Sequence, residues 1–146
     1  MTKEKMEKIL HNLADARRLA SKIAGRVKSG QVFAFYGDLG AGKTTLIQQI
    51  ALKLGVEEPV TSPTFVIQKK YATNKGFDLI HIDCYRFHNA VEAQDIGLFE
   101  LMNPSNVCFV EWADKIEPLL PKDTVRIFLA YLSETDRKVR IEGLDV

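Results

Sequence analysis

The sequence predicts an α/β fold: a single domain over residues 1–146, with a central, mostly parallel sheet flanked by helices and antiparallel strand pairing at the C-terminus. Three observations lead there. Short apolar runs of strand length alternate with segments of helical period, as when strands are joined by crossover helices. The run Val32-Phe33-Ala34-Phe35-Tyr36 is apolar without alternation, as in a strand covered on both faces. The chain has 146 residues, 46% hydrophobic and 27% charged, enough for one buried core and too few for two domains.

The elements follow in order. Residues 5–10 read as a short edge strand, although Met6, Ile9 and Leu10 alternate poorly. Asn12 then caps a helix whose stripe is Leu13, Ala16, Leu19, Ala20, Ile23, Ala24 and Val27, with Asp15 in the first turn and Gly30 just past the end. Residues 31–36 form the central strand. Residues 43–54 carry Leu46, Ile47, Ile50, Ala51 and Leu54 at helical spacing and stop at Gly55. Residues 65–71 and 79–85 read as strands around a polar loop, 72–78, and residues 107–110 and 125–132 as further strands. A last pairing segment covers 138–142. Residues 91–102 and 113–120 read as short helices between strands.

Composition excludes several classes of function. Twenty Lys and Arg against nineteen Asp and Glu leave a net charge of +1, so no global basic field grips nucleic acid, and any link to RNA is local or indirect. The longest apolar run, Ile127 to Leu132, is far short of the roughly 20 residues that span a membrane. The amino terminus leads into no secretory h-region, so a cytoplasmic location without membrane attachment is expected. Cys84 and Cys108 lack metal-site spacing and read as buried free thiols.

The sharpest signal is Gly37-Asp38-Leu39-Gly40-Ala41-Gly42-Lys43-Thr44, which fits G-x-x-x-x-G-K-[ST] at every fixed position and sits between a strand and a helix. Glycines let the backbone curl its N–H groups inward at phosphate oxygens, and the following helix adds its positive end. Lys43 reaches the β and γ phosphates, and Thr44 offers a hydroxyl to Mg²⁺. The domain is therefore expected to be P-loop NTPase-like. Residues 74–78, Asn-Lys-Gly-Phe-Asp, nearly match the guanine-reading N-K-x-D but set the aspartate one residue late. They read as a polar hairpin loop, and ATP is favoured.

Three other stretches carry polar chemistry. Thr61-Ser62-Pro63-Thr64 sets three hydroxyls around a proline before a strand, either as a loop that reaches the γ-phosphate or the metal, or as an ordinary polar turn. In His81-Ile82-Asp83-Cys84-Tyr85-Arg86, strand period puts His81, Asp83 and Tyr85 on one face and Ile82 and Cys84 on the other. Asp83 is then placed to orient Mg²⁺ or its water, with His81 positioning Asp83 or a water. The alternative is an amphipathic edge strand with a solvated polar face. Arg86 either neutralises phosphate charge or pairs with Asp83. The apolar strand ending Val110-Glu111-Trp112 either delivers a carboxylate towards the metal as a Walker B equivalent or simply ends at its first charge, and Trp112 either packs in the core or flanks the nucleotide.

Together these four motifs, in this order and spacing, resemble the TsaE (YjeE) family of P-loop ATPases of bacterial tRNA threonylcarbamoyladenosine (t6A) biosynthesis, over nearly the whole chain. The resemblance implies slow, Mg²⁺-dependent ATP hydrolysis in support of t6A modification. It implies two nucleotide-sensing loops, the first from Thr61 through Ser62 to Thr64, the second from His81 to Arg86, with Thr44 and Glu111 near the metal. It further implies association with the threonylcarbamoyl transferase and its inactive paralogue, tRNA being engaged indirectly. On this reading Lys43, Asp83 and Glu111 carry the chemistry. Asp38, Leu39, Gly40, Ala41, Gly42, Lys43, Thr44, Thr45, Thr61, Ser62, Thr64, His81, Arg86 and Trp112 hold the nucleotide, and Thr44, Asp83 and Glu111 surround the metal. Two rivals stay open: a small-molecule kinase, which needs an acceptor pocket, and a nucleotide-gated binding module with incidental hydrolysis.

Overall fold

The computed structural model describes residues 5–38, 40–61 and 68–146. Their strands form one sheet. In chain order the elements are β1 (Lys5–Leu10), α1 (Leu13–Ala24), β2 (Val32–Tyr36), α2 (Lys43–Lys53), β3 (Gln68–Ala72), β4 (Asp78–Asp83), α3 (Ala90–Asp95), β5 (Asn106–Glu111), β6 (Val125–Tyr131) and β7 (Arg137–Glu142). A 3₁₀ segment covers Leu98–Leu101, and the expected helix over 113–120 is instead a 3₁₀ stretch, Ala113–Leu119, kinked at Ile116 (φ -124). The sheet order is β1-β7-β6-β2-β5-β4-β3. Strands β4, β5, β2 and β6 run parallel, while β3 pairs antiparallel with β4, and β7 with both β6 and β1.

The expected α/β sheet, mostly parallel at its centre with antiparallel pairing at the C-terminus, is what the chain adopts, β3 adding an antiparallel edge, and β2 lies at its centre. One face, through Phe33, Phe35, Phe109, Ile127 and Ile141, buries against Leu19 and Ile23 of α1 and Leu46, Ile47 and Ile50 of α2. The other, through Val32, Ala34, Ile82 and Val110, buries against Ala93, Leu98, Ala113 and Ile116. Both faces of β2 are thus covered, which explains why its sequence does not alternate. Cys84 and Cys108 are buried and free, as expected.

Several boundaries move. Helix α1 begins where Asn12 caps it, its side chain accepting from the Asp15 amide, but it ends at Ala24 with Gly25 rather than near Gly30. The Arg26 and Val27 amides bond only three residues back, so the helix unwinds there, and Val27 packs on the core from outside it. The expected helix over 91–102 breaks in two because Gly97 turns left-handed (φ 76) between α3 and the 3₁₀ segment. Strand β4 stops at Asp83, so Tyr85 falls in a turn instead of on its face. Nor is β4 an edge strand. It lies between β3 and β5, and His81 is wholly buried rather than solvated. The loop 72–78 is a hairpin turn, and the Asn74 amide bonds the Leu54 carbonyl at the C-terminal end of α2. Of the expected strand over 65–71, residues 65–67 lie outside the described residues, as do Leu39, Ser62 and Thr64.

Candidate functional site: a cleft over the glycine-rich loop

Three glycines shape the loop between β2 and α2. Gly37 has φ 147, and a Cβ there would lie 2.5 Å from the Leu129 carbonyl oxygen, so the loop passes against β6 only because this residue has no side chain. Gly42, at φ 96, starts α2 in a left-handed conformation, with no side-chain cap and no acid in the first turn. The helix therefore offers its first N–H groups and its positive end to an anion.

Lys43 is only 7% exposed. Its Nζ donates to the Gly37 carbonyl and lies 4.1 Å from the centre of the Trp112 ring. Burial lowers its pKa, while the carboxylates of Glu111, Asp83, Asp114 and Asp38 act in the opposite direction. The ammonium is thus desolvated but surrounded by opposite charge.

The carboxylates reach the cleft by strand register. Asp83 and Glu111 end adjacent parallel strands, β4 and β5, and face each other across the pair. Glu111 is buried, and its Oε2 lies 2.7 Å from Nε2 of His81. The expectation that His81 positions Asp83 or a water gives way to this contact: the imidazole bonds the carboxylate of the neighbouring strand. Asp83 Oδ1 instead accepts from the Tyr85 amide at 2.9 Å. Trp112 takes a left-handed backbone (φ 56), unfavourable by about 1–2 kcal/mol for a residue with a Cβ, and turns the chain sharply out of β5. Its ring packs on Tyr85, centroids 5.1 Å apart, so it stands at the cleft wall as well as against the core.

A cleft of about 600 Å³ is lined by Asp38, Gly40, Ala41, Gly42, Lys43, Thr44, Thr45, Asp83, Tyr85, Glu111, Trp112 and Arg137. Of the expected site residues, it gathers the described phosphate loop, both carboxylates and Trp112. It does not gather three others. His81 lies beneath it, and Arg86 is exposed in the turn after β4. Thr61 is exposed and donates its amide to the Tyr71 hydroxyl at 3.4 Å.

Arg137 was not anticipated. It opens β7, its Nε donates to the Gly40 carbonyl at 3.0 Å, its Nη1 donates to the Ser133 carbonyl at 2.7 Å, and its guanidinium lies over Tyr131. No local motif marks it. Arg137 also lines a second pocket of about 210 Å³ behind the loop, with an apolar floor of Leu10, Ala16, Leu46 and Leu129 and a rim including Asn12, Glu134 and Thr135. Among the described residues no helix is long and apolar enough to cross a membrane.

Comparison with known proteins agrees with this architecture. The family model described as "Threonylcarbamoyl adenosine biosynthesis protein TsaE" matches residues 10–139. The chain is 39% identical over 129 residues to the tRNA threonylcarbamoyladenosine biosynthesis protein TsaE of Bacillus subtilis, covering 88% of this chain and 79% of that one. It is 37% identical to the protein of the same name from Aquifex aeolicus, covering 92% and 94% of the two chains. The crystal structure of YdiB from Bacillus subtilis superposes with a TM-score of 0.78 at 30% identity, covering 99% of this chain and 89% of that one. A family model, a fold and sequence similarity that each match over most of the chain lead to one assignment: the chain belongs to the TsaE family of threonylcarbamoyl adenosine biosynthesis proteins.

Proposed function

We propose that this chain binds ATP with Mg²⁺ in the 600 Å³ cleft, hydrolyses it slowly, and in doing so supports t6A modification of tRNA together with the threonylcarbamoyl transferase and its inactive paralogue. The observation that carries the proposal is the position of Lys43: a buried ammonium at the start of an uncapped helix, facing two carboxylates in register on the next strands. Such a site has both the cation for phosphate and the acids for a metal. Thr44 and the Asp83 and Glu111 carboxylates are hard oxygen donors of the kind Mg²⁺ takes, and bound there the ion would neutralise phosphate charge. The loop amides hold and orient the phosphates, and Glu111 accepts hydrogen bonds on the attacking side. The 210 Å³ pocket adjoins the cleft through Ala41, Gly42, Thr45 and Arg137, and its apolar floor suits a base. Asn74, tied to the far end of α2 about 16 Å from the loop, is poorly placed to read guanine.

One feature favours a second reading, phosphate transfer to a small acceptor. A cavity of about 400 Å³ opens beside Lys43 between Tyr36, Asp38, Trp112, Asp114 and Tyr131, large enough for a metabolite and supplied with carboxylates that could act as a base. ATP turnover measured alone, with the transferase pair, and with a panel of hydroxyl and amine acceptors separates the readings. Slow turnover that rises when the pair is added supports the first; stoichiometric phosphorylation of an acceptor supports the second.

A further inference from the structure

His81 is wholly buried, yet it lines none of the cleft. It sits in the interior of β4 between Phe109 of β5 and Lys69 of β3, with Leu79 two residues before it on the same face, and a wholly buried polar ring there is costly unless it is bonded. Its Nε2 lies 2.7 Å from Glu111 Oε2, the two side chains being 0% and 5% exposed. Its Nδ1 is buried and has no hydrogen-bond partner among the described residues. A histidine kept for structure ordinarily satisfies both nitrogens. Here the one bond made is to a carboxylate that does line the cleft.

A carboxylate bonds to an imidazole nitrogen as acceptor, so Nε2 carries the proton and donates. Oε2 of Glu111 is thereby committed, and Oε1 is left for the cleft. An unheld glutamate has three rotatable bonds and spends part of its time away from any productive orientation; a buried donor removes that freedom before ligand arrives. Buried polar pairs add little net stability and are often replaceable by apolar side chains, so stability alone does not account for this one.

We propose that His81 is a positioning residue for Glu111: its Nε2–H fixes the carboxylate so that a single oxygen, Oε1, is presented to the phosphate side of the cleft. The inference rests on the ATP-hydrolysis reading for its purpose, but not for its geometry. The geometry is tested on the ligand-free full-length protein, labelled with ¹⁵N-histidine. Long-range ¹H–¹⁵N correlations distinguish His81 from the exposed His11 and His88, identified by His11→Gln and His88→Gln. A proton on Nε2, with a resonance that moves in Glu111→Gln, is expected; a proton on Nδ1 alone overturns the proposal. The purpose is tested by turnover. His81→Leu is expected to lower kcat at least 10-fold with KM for ATP within twofold, and His81→Gln, which keeps a donor at similar reach, to recover part of the loss. A His81→Leu enzyme turning over within twofold of wild type, or a His81→Gln enzyme no better than His81→Leu, overturns it. A wild-type protein that hydrolyses no ATP refutes the proposed function, and the labelling result then still decides the His81–Glu111 pairing.

Discussion

The ammonium of Lys43 rests 4.1 Å from the centre of the Trp112 ring and donates to the Gly37 carbonyl, so the lysine is held by an aromatic face and its own loop. Phosphates compete for the same ammonium. Binding ATP and Mg²⁺ is expected to draw Nζ off the ring, and Trp112, the single tryptophan, reports the change as a shift in emission intensity or wavelength. Lys43→Ala should abolish the response at the same nucleotide concentration and weaken ATP binding by about 1.5–3 kcal/mol, about 10- to 150-fold. A dissociation constant unchanged by Lys43→Ala in titration calorimetry would refute the phosphate-loop assignment.

Glu111 ends β5 opposite Asp83 and lines the cleft, whereas the phosphates are expected to be held by the loop. Glu111→Gln keeps shape and an acceptor for His81 while removing the charge. Hydrolysis should fall far more than ATP affinity. Parallel losses of both, read by single-turnover kinetics and calorimetry, would assign Glu111 to binding instead.

The loop glycines differ in what surrounds them. A Cβ at Gly37 would lie 2.5 Å from the Leu129 carbonyl oxygen, a backbone atom that cannot swing aside, whereas at Gly40 (φ 83) it would meet nothing within 4 Å. Gly37→Ala should cost about 3 kcal/mol of stability and Gly40→Ala about 1 kcal/mol, only the latter being limited to the conformational term. Urea unfolding of both variants checks the order, and equal costs would show that β6 yields.

Burial pushes the Cys84 and Cys108 thiols up, each to about 12 from an ordinary 9.0, the nearby Asp83 and Asp114 carboxylates adding to the effect at Cys84. Between pH 9 and 12 the folded chain therefore holds protons that the unfolded chain releases. Stability is fully present below pH 9 and falls as pH rises, by up to about 1.4 kcal/mol per pH unit for each thiol. Urea midpoints at pH 8 and 10 should fall less in Cys84→Ala and Cys108→Ala than in wild type; an identical fall would place the alkaline sensitivity elsewhere.

What the sequence determined by itself is whatever depends on contiguous residues. The glycine-rich loop between β2 and α2, the buried central strand and the carboxylate that ends β5 are local patterns, and the described residues of each stand where strand–loop–helix reasoning puts them. The breaks at Gly25 and Gly97 lay in sequence too, but competing helical periodicity hid them. The partners across the sheet were decided by tertiary structure alone. Strand period says which residues share a face with His81, not that β5 rather than β3 presents Glu111 to it, nor that β4 is interior and His81 wholly buried. Arg137 reaches the Gly40 carbonyl from 97 residues away only because β7 follows β6 back along the sheet and carries its first residue up to the loop. Local backbone preferences act within a few residues and are written in order along the chain, whereas these contacts depend on the order of strands, which is set by how the whole core packs.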